Sequence, residues 1–245
     1  MNVISLVPSI TEALFDLGLT ENEITGRTKF CIHPEGRVNN IPVIGGTKNL
    51  NIEKIRSLKP DLIIANKEEN TKDQVEALME EFKVVVTHIE TVEDNYYLLK
   101  TLGNLFDQQE KAQLFNLKIY EVLESAKISS PLKAAYLIWK NPYMTIGSDT
   151  FIHHILQEFG FENSFKDRTR YPEITVEDLA DTDIIMLSSE PFPFREKHIE
   201  ELKATYPEKP IMIVDGEAFS WYGTHIAKCG QYFKDLIAEV ESFAH

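Results

Sequence analysis

Residues 107–128, DQQEKAQLFNLKIYEVLESAKI, constrain this chain more than any other stretch. The segment has no Gly or Pro, and Phe115, Ile119, Val122 and Ala126 recur at spacings of four, three and four, which is one face of a helix. Leu114, Leu117 and Leu123 widen that stripe, so the helix is expected to touch packed structure on more than one side. Asp107, with Glu110 three positions later, reads as a capping box at its start.

The chain on either side of this helix repeats one order of elements. Before it, the pattern predicts a strand at 3–7, helices at 9–17 and 52–58, a strand at 62–65, a helix at 71–82 and a strand at 84–87. After it come a strand at 134–139, helices at 150–159 and 176–180, a strand at 184–187, a helix at 196–205 and a strand at 211–214. NLNIEKIRSLKPDLIIA at 49–65 and PEITVEDLADTDIIMLS at 172–188 share a polar helix start, an early glutamate and a buried-looking strand. The expected fold class is α/β, two Rossmann-like lobes joined by a single long rigid helix. The expected bounds are an N-terminal lobe at 1–92, a connecting helical segment at 93–130 and a C-terminal lobe at 131–245.

Composition narrows the function. A net charge of −14 argues against nucleic acid or an anionic membrane as partner, because both call for a basic surface. No apolar run is long enough to span a bilayer. Cys31 and Cys229 lie far apart without ligand spacing; a disulfide is one option, and two buried free thiols are the expected state. Met1 leads directly into NVISLVP with no basic leader and no cleavage site. Either the protein stays in the cytoplasm, with Met1 the native start, or a leader has been removed.

Candidate binding residues come from turns and loops. Ser9-Ile10-Thr11-Glu12 reads as a capping box, with Gly18 ending the helix it opens. Residues 26–48 have little helical period, and a loop this long in a compact domain is usually functional or disordered. Within it Phe30 is either a ligand-facing aromatic or tucked under its own loop, and His33 is a weaker candidate metal ligand. Asn66 and Lys67 follow a strand, where open α/β sheets bind ligands. Tyr143, Tyr171 and the run Gly216-Glu217-Ala218-Phe219-Ser220-Trp221 also occupy strand ends or loops. Aromatics gathered in loops suit a large, flat, partly apolar ligand. No GxSxG, P-loop, HExxH or GxGxxG is present, and His153 and His154 are adjacent on a helix and cannot chelate one ion from one face. No catalytic residue and no metal site is therefore expected.

The segments ISLVPSITEALFDLG, NLNIEKIRSLKPDLIIA, NPYMTIGSDTF, FGFENSF and DGEAFSWYG together resemble the cobalamin-type periplasmic substrate-binding proteins of ABC importers, in the helical-backbone metal receptor group. The resemblance covers nearly the whole chain. It implies a class III periplasmic-binding-protein-like architecture with a ligand cleft between lobes and little hinge closure. The ligand implied is cobalamin or another corrinoid, with haem and iron-siderophores as alternatives on the same architecture, and no further cofactor is required. By position, the family's first-lobe ligand aromatic matches Phe30, and its contact segment after the last strand matches 216–220. Glu53 and Glu177 match the family's two glutamates that dock on the membrane subunits of the importer. First-turn glutamates favoured by the helix dipole are the alternative account of both. Asn66 and Tyr171 stand where the cobalamin binders carry tryptophan, and Trp221 is added. The implied protein is a periplasmic monomer with no nucleic-acid partner. The rival readings are a cytoplasmic metal-binding or chelatase-like enzyme using His33 or His225 with Glu217, and a corrinoid carrier without a transporter.

Overall fold

β1 (Val3–Ser5) sits at the centre of a parallel four-stranded sheet because its residues, and Leu6 and Val7 after it, are apolar enough to be covered on both faces. The structure, a computed structural model, describes residues 1–243. The strand order is β2 (Ile24–Arg27), β1, β5 (Leu62–Asn66) and β6 (Val84–Thr87), all parallel. α1 (Pro8–Asp16), α2 (Ile52–Leu58) and α3 (Lys72–Met79) connect them, with a short hairpin of β3 (Gly45–Gly46) and β4 (Asn49–Leu50) before α2. On one face Ile4, Leu6, Ile63 and Ala65 pack with Ile44, Leu50, Ile55, Val75 and Leu78 to form this unit's core.

The helical segment contains two helices, α4 (Val92–Leu105) and α5 (Gln109–Ser125). Asp107 is not a cap for α5. It has φ 55°, and the Gln108 N–H reaches back to the Gly103 carbonyl at 2.8 Å, so Asp107 is the left-handed residue that closes α4. The Gln108 carbonyl accepts the first α5 bond, from Ala112 N–H at 3.0 Å. The seventeen residues of α5 span roughly 25 Å.

The second sheet has the order β10 (Glu173–Ile174), β8 (Tyr143–Thr145), β7 (Lys133–Trp139), β11 (Ile184–Ser188) and β12 (Ile211–Val214), and β9 (Glu162–Asn163) pairs with the start of β7. α6 (Phe151–Glu158), α7 (Glu196–Lys203), α8 (Gly216–Ser220) and α9 (Gly230–Ser242) complete it. β7, β11 and β12 run parallel in the same order as β1, β5 and β6, so the duplication legible in sequence is a duplication of sheet topology. The helix expected at 176–180 is a single 3₁₀ turn, Glu177–Leu179. Its core packs Ala135, Leu137, Ile185 and Leu187 against Phe165, Phe194 and Leu202.

By their contacts the described residues form two units: 1–89 with 93–117 and 221–225, and 90–92 with 118–220 and 226–243. The division falls inside α5, and the short segment Trp221–His225 belongs with the first unit. Asn95 holds that segment through both backbone groups of Gly223, and Thr224 and His225 bond Asp16 and Glu12 of α1. Glu12 is therefore not part of a capping box; its Oε2 lies 2.8 Å from His225 Nδ1, and α1 starts instead with Pro8 at its first turn. Gly18, at φ 109°, ends α1 as expected, with Leu19 N–H bonded to the Leu14 carbonyl.

One pH effect follows from α7. The Arg195 N–H donates to His198 Nδ1 at 2.8 Å, which requires that nitrogen to be unprotonated, and the ring is buried between Phe192 and Phe194. Burial, with Lys140 and Lys197 nearby, holds its pKa below the usual imidazole value. The unfolded chain then binds the proton more readily, so this contribution is present above about pH 6.5 and is lost as pH falls below it. Thermal melts between pH 7.5 and 5.0 should show falling stability, with a shallower slope in His198→Gln; equal slopes would remove His198 as the cause.

Candidate functional site

The first unit presents Phe30 by fixing its neighbours. Thr28 and Cys31 on either side are fully buried, and the Cys31 thiol sits 3.1 Å from Thr11 Oγ1 and 3.2 Å from Thr28 Oγ1. Burial raises the thiol's pKa, consistent with an inert packing group; both cysteines are free, and Cys229 is only partly buried. Lys29 N–H bonds the Gly45 carbonyl at 2.8 Å, and the buried Arg27 guanidinium ties the loop to the Val38 and Thr28 carbonyls. Phe30 itself remains 49% exposed. The ring thus stands in water on a loop anchored at both sides.

Asn66 behaves differently. It is buried at the end of β5, its amide nitrogen donates to Thr87 Oγ1 at 3.1 Å, and its oxygen accepts from the N–H groups of Glu68 and Glu69. One end of the side chain ties β5 to β6 and the other builds the turn after β5, so both are engaged within the fold. Lys67, the next residue, is exposed.

In the second unit Tyr143 lies in β8 and packs half-buried against the core, so it is a strand residue and not an exposed loop aromatic. Tyr171 is 37% exposed, next to Arg170 at φ 60°. Gly216, Ala218 and Phe219 are buried in α8. Phe219 is enclosed completely, its ring 5.3 Å from Tyr136 and 5.4 Å from Phe233, and it offers no surface to a ligand. Gly216 is required at its position, since a Cβ there would lie 2.4 Å from Glu190 Cγ. Glu217 is half-buried at the start of α8, and Ser220 donates to Glu190 Oε1 at 3.0 Å.

Trp221 lies with the first unit, nearly buried, its ring 5.2 Å from His33 and 5.4 Å from His225. His33 and His225 are thus ring-packed, and His225 is hydrogen-bonded to Glu12. Among the described residues no group of three or more His, Cys, Asp or Glu side chains is arranged to hold a metal ion. The Glu12–His225 contact joins residues 213 apart, and no local spacing could have revealed it.

Glu53 and Glu177 occupy matching places in the duplicated topology. Glu53 is in the first turn of α2, capped by Asn51 Oδ1, with its side chain 82% exposed and paired with Arg56, which Glu81 also holds. Glu177 opens the 3₁₀ turn, fully exposed, and a bond to its own backbone followed by the Thr175 hydroxyl keeps its carboxyl below the usual pKa.

Comparison with known proteins gives these placements a frame. A family described as periplasmic binding protein matches residues 3–206. The vitamin B12-binding protein of Salmonella typhimurium is 30% identical over 181 residues, a match that takes in 71% of this chain and 66% of that protein's length. The periplasmic vitamin B12-binding protein of Vibrio cholerae superposes with a TM-score of 0.82 at 18% identity, covering 98% of this chain and 97% of the other. A periplasmic haem-binding protein from Roseiflexus sp. RS-1 gives 0.82 at 16% identity, with 100% and 99% covered. The shared fold is the two-lobed α/β architecture of class III periplasmic binding proteins, and the chain belongs to the periplasmic binding protein family.

Proposed function

We propose that this protein is a solute-binding protein that captures a corrinoid or another bulky metal chelate and delivers it to the membrane subunits of an ABC importer. The observation that carries the reading is Phe30, an exposed aromatic on a loop fastened on both sides by buried neighbours. The relatives are named for vitamin B12 and haem binding, and both ligands are flat macrocycles that an exposed ring would stack on. Tyr171 and Lys67 are the other exposed members of the proposed contact set, and Glu217 and Ser220 are partly exposed polar members. The protein works by binding and not by catalysis, as a monomer on the outer side of the membrane. No helix among the described residues is long and apolar enough to cross a bilayer.

Titration with cyanocobalamin and with haem, followed by the fluorescence of Trp139 and Trp221 and checked by calorimetry, tests the ligand class. Saturable one-to-one binding of either is expected; binding of neither would overturn the proposal. Docking is assigned to Glu53 and Glu177. In the Glu53→Ala/Glu177→Ala protein, ligand affinity should stay within about twofold while uptake is lost, because an exposed carboxylate meeting an arginine contributes to recognition more than to folding. Normal uptake by that double variant would refute the docking role.

A further inference from the structure

We infer that Glu81 is a positioning residue for the docking glutamate of the first unit: it holds Arg56 aside, so that Glu53 keeps one carboxylate oxygen for a cationic partner. The inference rests on the docking role proposed above, and Glu53, Arg56 and Glu81 all belong to that one unit. Arg56 follows Glu53 by three residues on α2, the spacing that brings two side chains onto one helix face. With no other partner, a planar guanidinium there would take both oxygens of the carboxylate. The structure divides it differently. Arg56 Nε lies 2.9 and 3.0 Å from the two oxygens of Glu81, and its Nη2 also donates to Glu81 Oε1. Only Nη1 reaches Glu53, at Oε1. Among the described residues Glu53 Oε2 has no hydrogen-bond partner. Both carboxylates hold the Arg56 guanidinium above its usual pKa, Glu81 more than Glu53, and Arg56 keeps the Glu81 carboxyl below its own.

Glu81 is placed by the core beneath it. Ile55 and Leu78 are fully buried, and Ile52, Leu58 and Phe82 pack on the same cluster. The Glu81 and Phe82 N–H groups both bond the Leu78 carbonyl, at 3.2 and 2.9 Å. The turn after α3 is thereby fixed against α2, with Glu81 beside Arg56 though 25 residues away in sequence. Two acids and one base leave one negative charge, and the uncommitted oxygen is on the residue assigned to docking. The second unit has no such arrangement. Ala180 stands three residues after Glu177, whose carboxyl is held by its own backbone and the Thr175 hydroxyl.

Exposed ion pairs are weak, so Arg56 exchanges partners readily once residue 81 is neutral. An Arg56 bound to both oxygens of Glu53 would compete with an incoming arginine for them and repel it at close range. Glu81 thus acts on recognition through Arg56.

Glu81→Gln, Arg56→Gln and the doubly substituted protein form a cycle, read in the full chain by uptake and by ligand titration. The probe is radiolabelled cyanocobalamin or haem, whichever binds the unsubstituted protein, in native-host cells expressing each variant at an equal level. Glu81→Gln should slow initial uptake about threefold or more, with ligand affinity within about twofold. In the Arg56→Gln background the same change should have no effect, a suppression that a folding defect would not produce. A crystal structure of the Glu81→Gln protein should show Arg56 on both oxygens of Glu53. Normal uptake by Glu81→Gln, equal slowing with Arg56 already replaced, or a crystal with Arg56 turned away from Glu53 would overturn the inference and leave the docking role standing. Normal uptake by the Glu53→Ala/Glu177→Ala protein would remove the docking role, and the inference with it.

Discussion

Phe219→Ala should lower stability by about 3–5 kcal/mol, whereas Phe30→Ala should leave folding almost unchanged and weaken ligand binding about tenfold or more. Both phenylalanines belong to segments that resemble ligand contacts of the family, and the structure separates them. Phe219 is fully enclosed, with Tyr136, Phe159 and Phe233 around its ring at centroid distances of 5.3, 6.3 and 5.4 Å. Removing it leaves a cavity that three large neighbours, on β7, just past the end of α6 and on α9, can fill only partly, so the transfer free energy is lost and the cavity cost is added. The expected fall in melting temperature is roughly 10 °C. Phe30 has no such surroundings, and half of it is in water already. Thermal melts and ligand titrations of the two variants side by side make the comparison. A Phe219→Ala protein that melts normally and fails to bind would return Phe219 to the ligand site.

The contrast between those rings shows where sequence reading stops. α2, β6 and β12 are found at the predicted residues, because Asn51 supplies a cap to α2 and the β-branched apolar runs of the two strands favour extended backbone even where Val86 and Ile213 stay exposed. β2, ITGR, carries no such pattern; its partner β1 is what makes it a strand. β8 follows Asn141-Pro142, which marks a turn in sequence, and it is the pairing of Leu137 with Thr145 that folds the chain back on β7. Asn66 and Lys67 look equally suited to a ligand, yet one is consumed by a turn and the other faces water. Exposed Phe30 and buried Phe219 are the same residue type in equally plausible loops. What distinguishes them is tertiary burial, which no local spacing encodes.

Gly45→Ala should be the most damaging small substitution in the first unit, costing about 2–5 kcal/mol and weakening ligand binding as well. Two independent effects add at this residue. Its φ of 114° is a conformation that an L side chain adopts only under strain, and a Cβ would lie 2.3 Å from the Asn49 carbonyl oxygen and 3.1 Å from Asn51 N. Those are backbone atoms of the facing strand and the α2 cap, so no side chain can swing aside to make room. The hairpin that would have to shift is fastened at several points: Gly45 pairs with Leu50, Ile44 N–H bonds the Arg27 carbonyl, and Asn51 N–H bonds the Ile44 carbonyl. Because the Gly45 carbonyl also receives Lys29 N–H, the displacement reaches the loop that presents Phe30. Gly36 provides the control. It too has a positive φ, 81°, but a Cβ there meets nothing within 4 Å, so Gly36→Ala should incur the backbone strain alone, about 1 kcal/mol, with binding intact. Urea denaturation and ligand titration of both variants separate strain from collision. Equal losses at the two positions would mean that the hairpin yields to the added methyl, and that the Phe30 loop is not held in place by Gly45.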